Sequence, residues 1–214
     1  MMTGAYSESY LNDAMENLGD MVDYSVCDLG FDPDEFFGWF ISSKISSEFE
    51  SGNPKYIAGM SGVELANAIL KEVNVTYKYR DHEYTDYKGK EYWSGWIYAY
   101  YQWITGKRFC DLVERGLKLS TVMSMYILHE ADESKFVEVA NEIVSRNVNQ
   151  RKPRLVEIRK ARGYSQKELS DASGVSLRMI QLYEQRQNDI NKAQASVVLK
   201  LSKALGCGVE DILE

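Results

Sequence analysis

Between Tyr10 and Leu29 the apolar residues Leu11, Ala14, Met15, Leu18, Met21, Val22, Val26 and Leu29 recur at helical spacing. That stripe predicts an amphipathic helix, with Gly30 as its stop. Asp32-Pro33-Asp34-Glu35 then places a capping side chain, a proline at the first helical position and an acid at the third. A helix carrying Phe36, Phe37, Phe40 and Ile41 is expected to start there. Ser61-Gly62-Val63-Glu64 has capping-box spacing and opens a helix to about Val73. Residues 74–90 are polar and tyrosine-rich and lack a helical period. They read as a loop or a small hairpin, because VTYKY alternates. Tyr92 to Thr105 returns to helical spacing, with Trp93, Trp96, Ile97, Tyr100, Trp103 and Ile104 on one side. Shorter helices are expected around 108–115 and 119–127. Asp132 can cap one more, carrying Phe136, Val139, Ala140, Ile143 and Val144.

After Arg151-Lys152-Pro153-Arg154 the rhythm shortens. Proline disfavours helix in the residue before it, so a boundary is expected near 150–153. Five short helical segments follow. Leu155, Ile158 and Arg159 open the first, and Gly163 closes it. Ser165-Gln166-Lys167-Glu168 is a second capping box. Gly174 interrupts, and Ser176 can cap a third helix with Ile180 and Tyr183 inside. Asn191-Lys192-Ala193-Gln194 can cap a fourth, with Val197, Val198, Leu201, Ala204 and Leu205 on its apolar side. Gly206 ends it, and Val209 to Leu213 forms a last turn or two. The pattern predicts an all-α chain: a helical domain over 1–150 and a smaller helical domain over 151–214.

Composition sharpens that division. The 214 residues carry a net charge of −7. Residues 1–150 hold 13 basic and 24 acidic residues, a net of −11, whereas 151–214 hold 12 and 8, a net of +4. An acidic large part beside a basic small part indicates two jobs in one chain. The cysteines, Cys27, Cys110 and Cys207, are odd in number and far apart. They exclude a disulfide scaffold and fit reduced, buried thiols in a cytoplasmic protein. MMTGAYSESY lacks the charged start and apolar run of a signal peptide, and FFGWFI is too short to cross a bilayer.

Catalytic and metal motifs are missing from the sequence. No GxSxG, GxxxxGK[ST] or GxGxxG occurs. His82 lies in Asp81-His82-Glu83, and His129 precedes Glu130, with Glu133 where HExxH needs a second histidine. Ligand number and spacing both fall short of a metal site. No enzyme activity, metal or cofactor is therefore expected. Between Tyr77 and Trp103 there are eight tyrosines and three tryptophans. Such a cluster suits a core, a partner surface or a small-ligand pocket. Met123 and Met125 read as core filler.

Residues 165–184, SQKELSDASGVSLRMIQLYE, carry the most specific pattern. Two short helices flank a tight turn at 172–175, and Leu169, Val175 and Ile180 are placed to share a core. From LVEIRKARGYSQKELSDASGVSLRMIQLYEQR through VVLKLSKALGCGVEDIL, residues 155–213 resemble the phage-repressor-like (Xre-type) helix-turn-helix family. That resemblance implies a five-helix fold that binds double-stranded DNA, often as a dimer on a two-fold operator. Carried over by position, Ser176, Leu177, Arg178, Gln181 and Leu182 face bases. Gln166, Lys167, Gln185, Arg186 and Gln187 approach the DNA backbone. Arg151, Lys152 and Arg154 form a candidate basic arm beside the module. Two features depart from the family. Ser170 stands where alanine is usual, and Arg186 stands where a glycine is common. Two leucines on the reading face are also unusual, and they suit a protein contact as well as a base.

The resulting expectation is a transcriptional regulator on a palindromic operator, dimeric, with its acidic part dimerising or sensing. The alternative is an antitoxin-like or adaptor protein, whose acidic part binds another protein while the basic part tethers it to DNA. Residues 31–105, through DPDEFF, GNPKYIAGMSGVELA and EYWSGW, resemble only an uncharacterised bacterial domain, which implies no activity.

Overall fold

The computed structural model describes residues 4–82, 88–150 and 152–213, apart from the side chains of 147–150. The described residues are helical or irregular, with no strand among them. The hairpin considered for 74–90 is thus not formed by its described residues, and 83–87 lie outside them. The chain divides into two compact units, Met1–Ser145 and Arg146–Glu214. No helix of the described residues is long and apolar enough to cross a membrane.

In the first unit, a 3-10 turn leads into α1 (Leu11–Asp23), which continues as one π-helical stretch, Tyr24–Asp28. The single helix expected from Tyr10 to Leu29 thus changes its winding after Asp23. The wider π-turn shifts the stripe and buries Tyr24 and Ser25. α2 (Pro33–Ser42) starts as its sequence predicts: Asp32 Oδ1 accepts from the amides of Asp34 and Glu35, both at 3.0 Å. Two short helices not read from the sequence follow, α3 (Lys44–Glu50) and α4 (Pro54–Ile57). α5 (Gly62–Glu72) carries its full capping box. α6 (Lys90–Thr105), α7 (Phe109–Glu114) and α8 (Leu119–Ser124) come next. A 3-10 turn at Tyr126–Glu130 replaces the end of the helix expected to 127, and α9 (Glu133–Gln150) follows, its last five residues falling in the second unit.

The core of this unit is aromatic. Phe37 stacks on Tyr98 at 5.0 Å between centroids, and Phe109 meets both rings edge-on at 5.6 and 5.4 Å. Each such pair adds about 0.5–1.5 kcal/mol beyond the area it buries. The buried Tyr98 hydroxyl donates to the Leu117 carbonyl, so its polar atom is satisfied. α1 packs along α6, and Gly95 permits the approach. A Cβ there would lie 2.3 Å from the Leu18 carbonyl oxygen. Of the aromatic cluster, Trp93, Tyr98 and Tyr101 are core. Tyr77, Tyr92, Trp96, Tyr100 and Trp103 are half-buried, Tyr79 is exposed, and Tyr84 and Tyr87 lie outside the described residues. Met123 and Met125 pack partly against the core, as expected.

The second unit is built from five helices among the described residues. They are α10 (Arg154–Ala161), α11 (Gln166–Ser173), α12 (Leu177–Glu184), α13 (Ala195–Leu205) and α14 (Val209–Ile212). Leu155, Leu169, Val175, Ile180, Tyr183, Val198, Leu201 and Leu205 form one buried cluster. Asn191 does not cap α13. Ile190–Lys192 is a 3-10 turn that Asp189 caps, and Gln194 precedes α13 without a side-chain cap bond. The cysteines are not in either core: Cys27 is exposed, and Cys110 and Cys207 are half-buried. Burial was expected of all three. Cys207 lies in the connection between α13 and α14, packed partly against the core of its unit.

Candidate nucleic-acid interface

The two helices of the predicted motif are set by local chemistry. Ser165 Oγ accepts from the Glu168 amide at 3.1 Å, and Glu168 Oε2 accepts from the Ser165 amide at 2.8 Å. Those bonds satisfy two of the orphan donors at the start of α11. They also hold the Glu168 carboxyl below the usual carboxylate range. At the other end Gly174 has φ +67°, a left-handed cap that a side chain would strain. The turn is then stitched by two serines. Ser170 Oγ donates to the Val175 carbonyl at 2.7 Å, and the Val175 amide donates to Ser173 Oγ at 3.2 Å. Ser170 thus has a bond that the more usual alanine cannot make. Ser176 caps α12 by accepting from the Met179 amide.

An ion pair is buried beneath these helices. Arg159 Nε donates to Glu184 Oε1 at 2.6 Å, and Nη2 donates to Oε2 at 2.9 Å. The remaining Nη1 donates to the Tyr164 carbonyl at 2.7 Å. The two side chains are 9% and 4% exposed. Gln166 Nε2 donates to the same Glu184 carboxylate at 2.7 Å. This network links α10, the start of α11 and the end of α12. Hydrogen bonding to Glu184 raises the Arg159 guanidinium pKa further, so the arginine stays charged. The pairing was not read from the sequence. An arginine inside the apolar rhythm of α10 was its one available signal.

The expected reading face is distributed as follows. Ser176, Leu177 and Arg178 are exposed, with Leu177 at 37%, and Gln181 and Leu182 are half-buried. Lys167, Gln185 and Gln187 are exposed. Gln166 is half-buried, and its amide is engaged by Glu184. Arg186 is half-buried with φ +54°, a left-handed backbone where glycine is the easy residue. Of the candidate arm, Lys152 is exposed and Arg154 is half-buried, while Arg151 lies outside the described residues.

Residues 155–212 match the helix-turn-helix family. The match spans 58 of the 214 residues and coincides with the segment that resembles the Xre-type family. Members of this helix-turn-helix family are DNA-binding regulators, and α11 and α12 are the two helices of the motif. No curated protein and no solved structure matches the chain.

Among the described residues, one group of side chains lies close enough to share an ion: Asp23, Cys27 and Glu91, within 4.8 Å of one another. Burial, then the charges of Asp23 and Glu91, push the Cys27 thiol up to about 12. The thiol is therefore protonated at neutral pH and a poor nucleophile. His82, which lies outside that group, pairs with Asp28 at 2.6 Å.

Proposed function

We propose that the protein is a sequence-specific transcriptional regulator that binds a palindromic operator as a homodimer in the cytoplasm. The observation that carries the reading is the exposed face at the start of α12, where Arg178 projects from a helix-turn-helix with a +4 surrounding segment. In this reading α12 lies in the major groove. Arg178 bonds a guanine in two places, Gln181 reads an adenine, and Leu177 meets a thymine methyl. Ser176 and Leu182 border those bases. Lys167, Gln185, Arg186 and Gln187 approach phosphates, with Gln166 beside them. Lys152 and Arg154, with Arg151, extend the phosphate contact. One such module reads few base pairs, so a symmetric pair gives usable selectivity. The acidic domain over 1–150 supplies dimerisation or partner binding, and no step of this function is catalytic.

Fluorescence anisotropy with the DNA upstream of its own gene, against a scrambled duplex across a salt series, tests the reading. Specific binding exceeds random binding by about 10³-fold or more, and both weaken as salt rises. Arg178→Ala weakens specific binding by about 1–3 kcal/mol. Unchanged affinity and sequence preference in that variant refutes the docking.

The charge of −11 over residues 1–150, with Ile127 76% exposed, favours a second reading beside the first. In it the acidic unit binds a protein partner in the manner of an antitoxin or adaptor. Co-expression with neighbouring gene products tests it. A stoichiometric complex supports it, and recovery of the protein alone counts against it.

A further inference from the structure

We propose that the first unit holds a binding site for a small amine, a ligand with an aromatic or apolar body and one protonated nitrogen. The site is a cavity of about 250 Å³ between α6, the 3-10 turn at Tyr126–Glu130 and the start of α9. Its walls are Tyr92, Trp93, Trp96, Tyr126 and Phe136. Trp93 meets Tyr126 and Phe136 edge-on, each at 5.8 Å. These rings are fixed by the surrounding core, so the walls are formed before a ligand arrives. Apolar walls bind water weakly, and a ligand body that replaces it is favoured.

The charges around the cavity select the head group. Lys88 is the lysine at the rim, and its charge is already answered. Its Nζ lies 2.8 Å from Asp20 Oδ1 and 3.9 Å from the centre of the Tyr92 ring. Glu133, half-buried at the same rim, has no ion pair or side-chain hydrogen bond among the described residues. Glu133 therefore gives the rim a negative charge that no cation of the described residues answers, and this favours a cationic head group. Aromatic faces add to that preference, as the seat of Lys88 on Tyr92 illustrates. A protonated amine placed near Glu133 meets both. A neutral or anionic ligand with the same body meets neither. The site lies wholly within the first unit and does not depend on the DNA-binding reading.

Isothermal titration of the full chain with three probes of similar body tests the proposal: 2-phenylethylamine, 2-phenylethanol and phenylacetate. The amine binds about fivefold or more tighter than the alcohol, and phenylacetate binds weakest. Glu133→Gln removes most of the amine's advantage and leaves the affinity for the alcohol unchanged. Trp96→Ala weakens both. Far-UV circular dichroism checks that each variant is folded, and Glu133→Gln carries the test alone if Trp96→Ala is not. Equal affinity for amine and alcohol overturns the proposal. So does an amine preference that survives Glu133→Gln, or the absence of saturable binding by any probe up to millimolar concentration.

Discussion

Replacing Arg159 by methionine removes the buried cation beneath the helix-turn-helix and keeps most of its volume. The arginine makes three donations, two to Glu184 and one to the Tyr164 carbonyl, at 2.6, 2.9 and 2.7 Å. After the change Glu184 is a carboxylate with a 4% exposed side chain and Gln166 as its remaining partner. Breaking a buried pair from one side costs about 3–5 kcal/mol, because the stranded charge keeps its desolvation penalty. The second unit has 69 residues. At ordinary stability per residue its whole margin is about 3–10 kcal/mol. Arg159→Met therefore brings the unit close to unfolding at 25 °C. The double variant Arg159→Met/Glu184→Met removes both charges and is expected within about 1 kcal/mol of the parent. Urea unfolding followed by two signals measures this. Trp39, Trp93, Trp96 and Trp103 are the four tryptophans and all lie in the first unit, so their fluorescence reads that unit. Far-UV circular dichroism reads both. The expected result is an early dichroism transition in each single variant, its loss in the double variant, and an unmoved fluorescence transition. A single-variant cost under about 1 kcal/mol, or a double variant as unstable as the summed singles, refutes the reasoning.

Two further outcomes are expected. Arg186→Gly relieves a left-handed backbone at φ +54° that costs a side chain about 1–2 kcal/mol, offset by glycine's added chain entropy. Thermal unfolding should show a net gain of about 0.5–1 kcal/mol, while anisotropy shows weaker DNA binding and a salt slope smaller by about 1. A variant that binds DNA as tightly as the parent removes Arg186 from the phosphate contacts. Cys27, with its thiol pushed up to about 12, should be alkylated by iodoacetamide at pH 8 at least about tenfold more slowly than an ordinary exposed thiol. Asp23→Asn should speed that reaction, because the Asp23 charge is one cause of the shift. Mass spectrometry of labelled peptides reads it, and Cys27 labelling as fast as a free thiol contradicts the assignment.

What could be read from the chain was local. The Ser61–Glu64 and Ser165–Glu168 boxes and the Asp32 cap are contacts across three residues, so their spacing in sequence is their spacing in space. The helical stripes of α1, α5 and α6 appear for the same reason: period decides which face is buried. The features that escaped depend on distant partners. Arg159 and Glu184 are 25 residues apart, and neither position alone identifies its partner. α3 lies in the serine-rich run KISSEFE, whose helix propensity is ordinary, and is held by Ile45 and Phe49 in the core. The winding change at Tyr24–Asp28 buries Tyr24 and Ser25 where the stripe placed Val26 and Leu29, and residue spacing does not encode such a shift. The candidate reading face was legible as positions, yet Gln166 was not legible as a side chain already engaged by Glu184.

Net charge misleads here because electrostatic attraction to DNA is decided locally. A chain of net −7 would be expected to avoid a polyanion. At physiological ionic strength, however, the Debye length is about 8 Å, so carboxylates beyond that distance from a phosphate are largely screened. The +4 of residues 151–214 then governs contact, while the −11 of residues 1–150 acts mainly at low salt. Counterion release makes DNA binding tighten as salt falls, and repulsion from the acidic unit opposes that tightening as the screening length grows. The full chain's affinity should therefore flatten below about 50 mM salt instead of following one straight line. A line that stays straight down to about 10 mM, where the Debye length reaches about 30 Å, would place the acidic residues out of reach of the duplex.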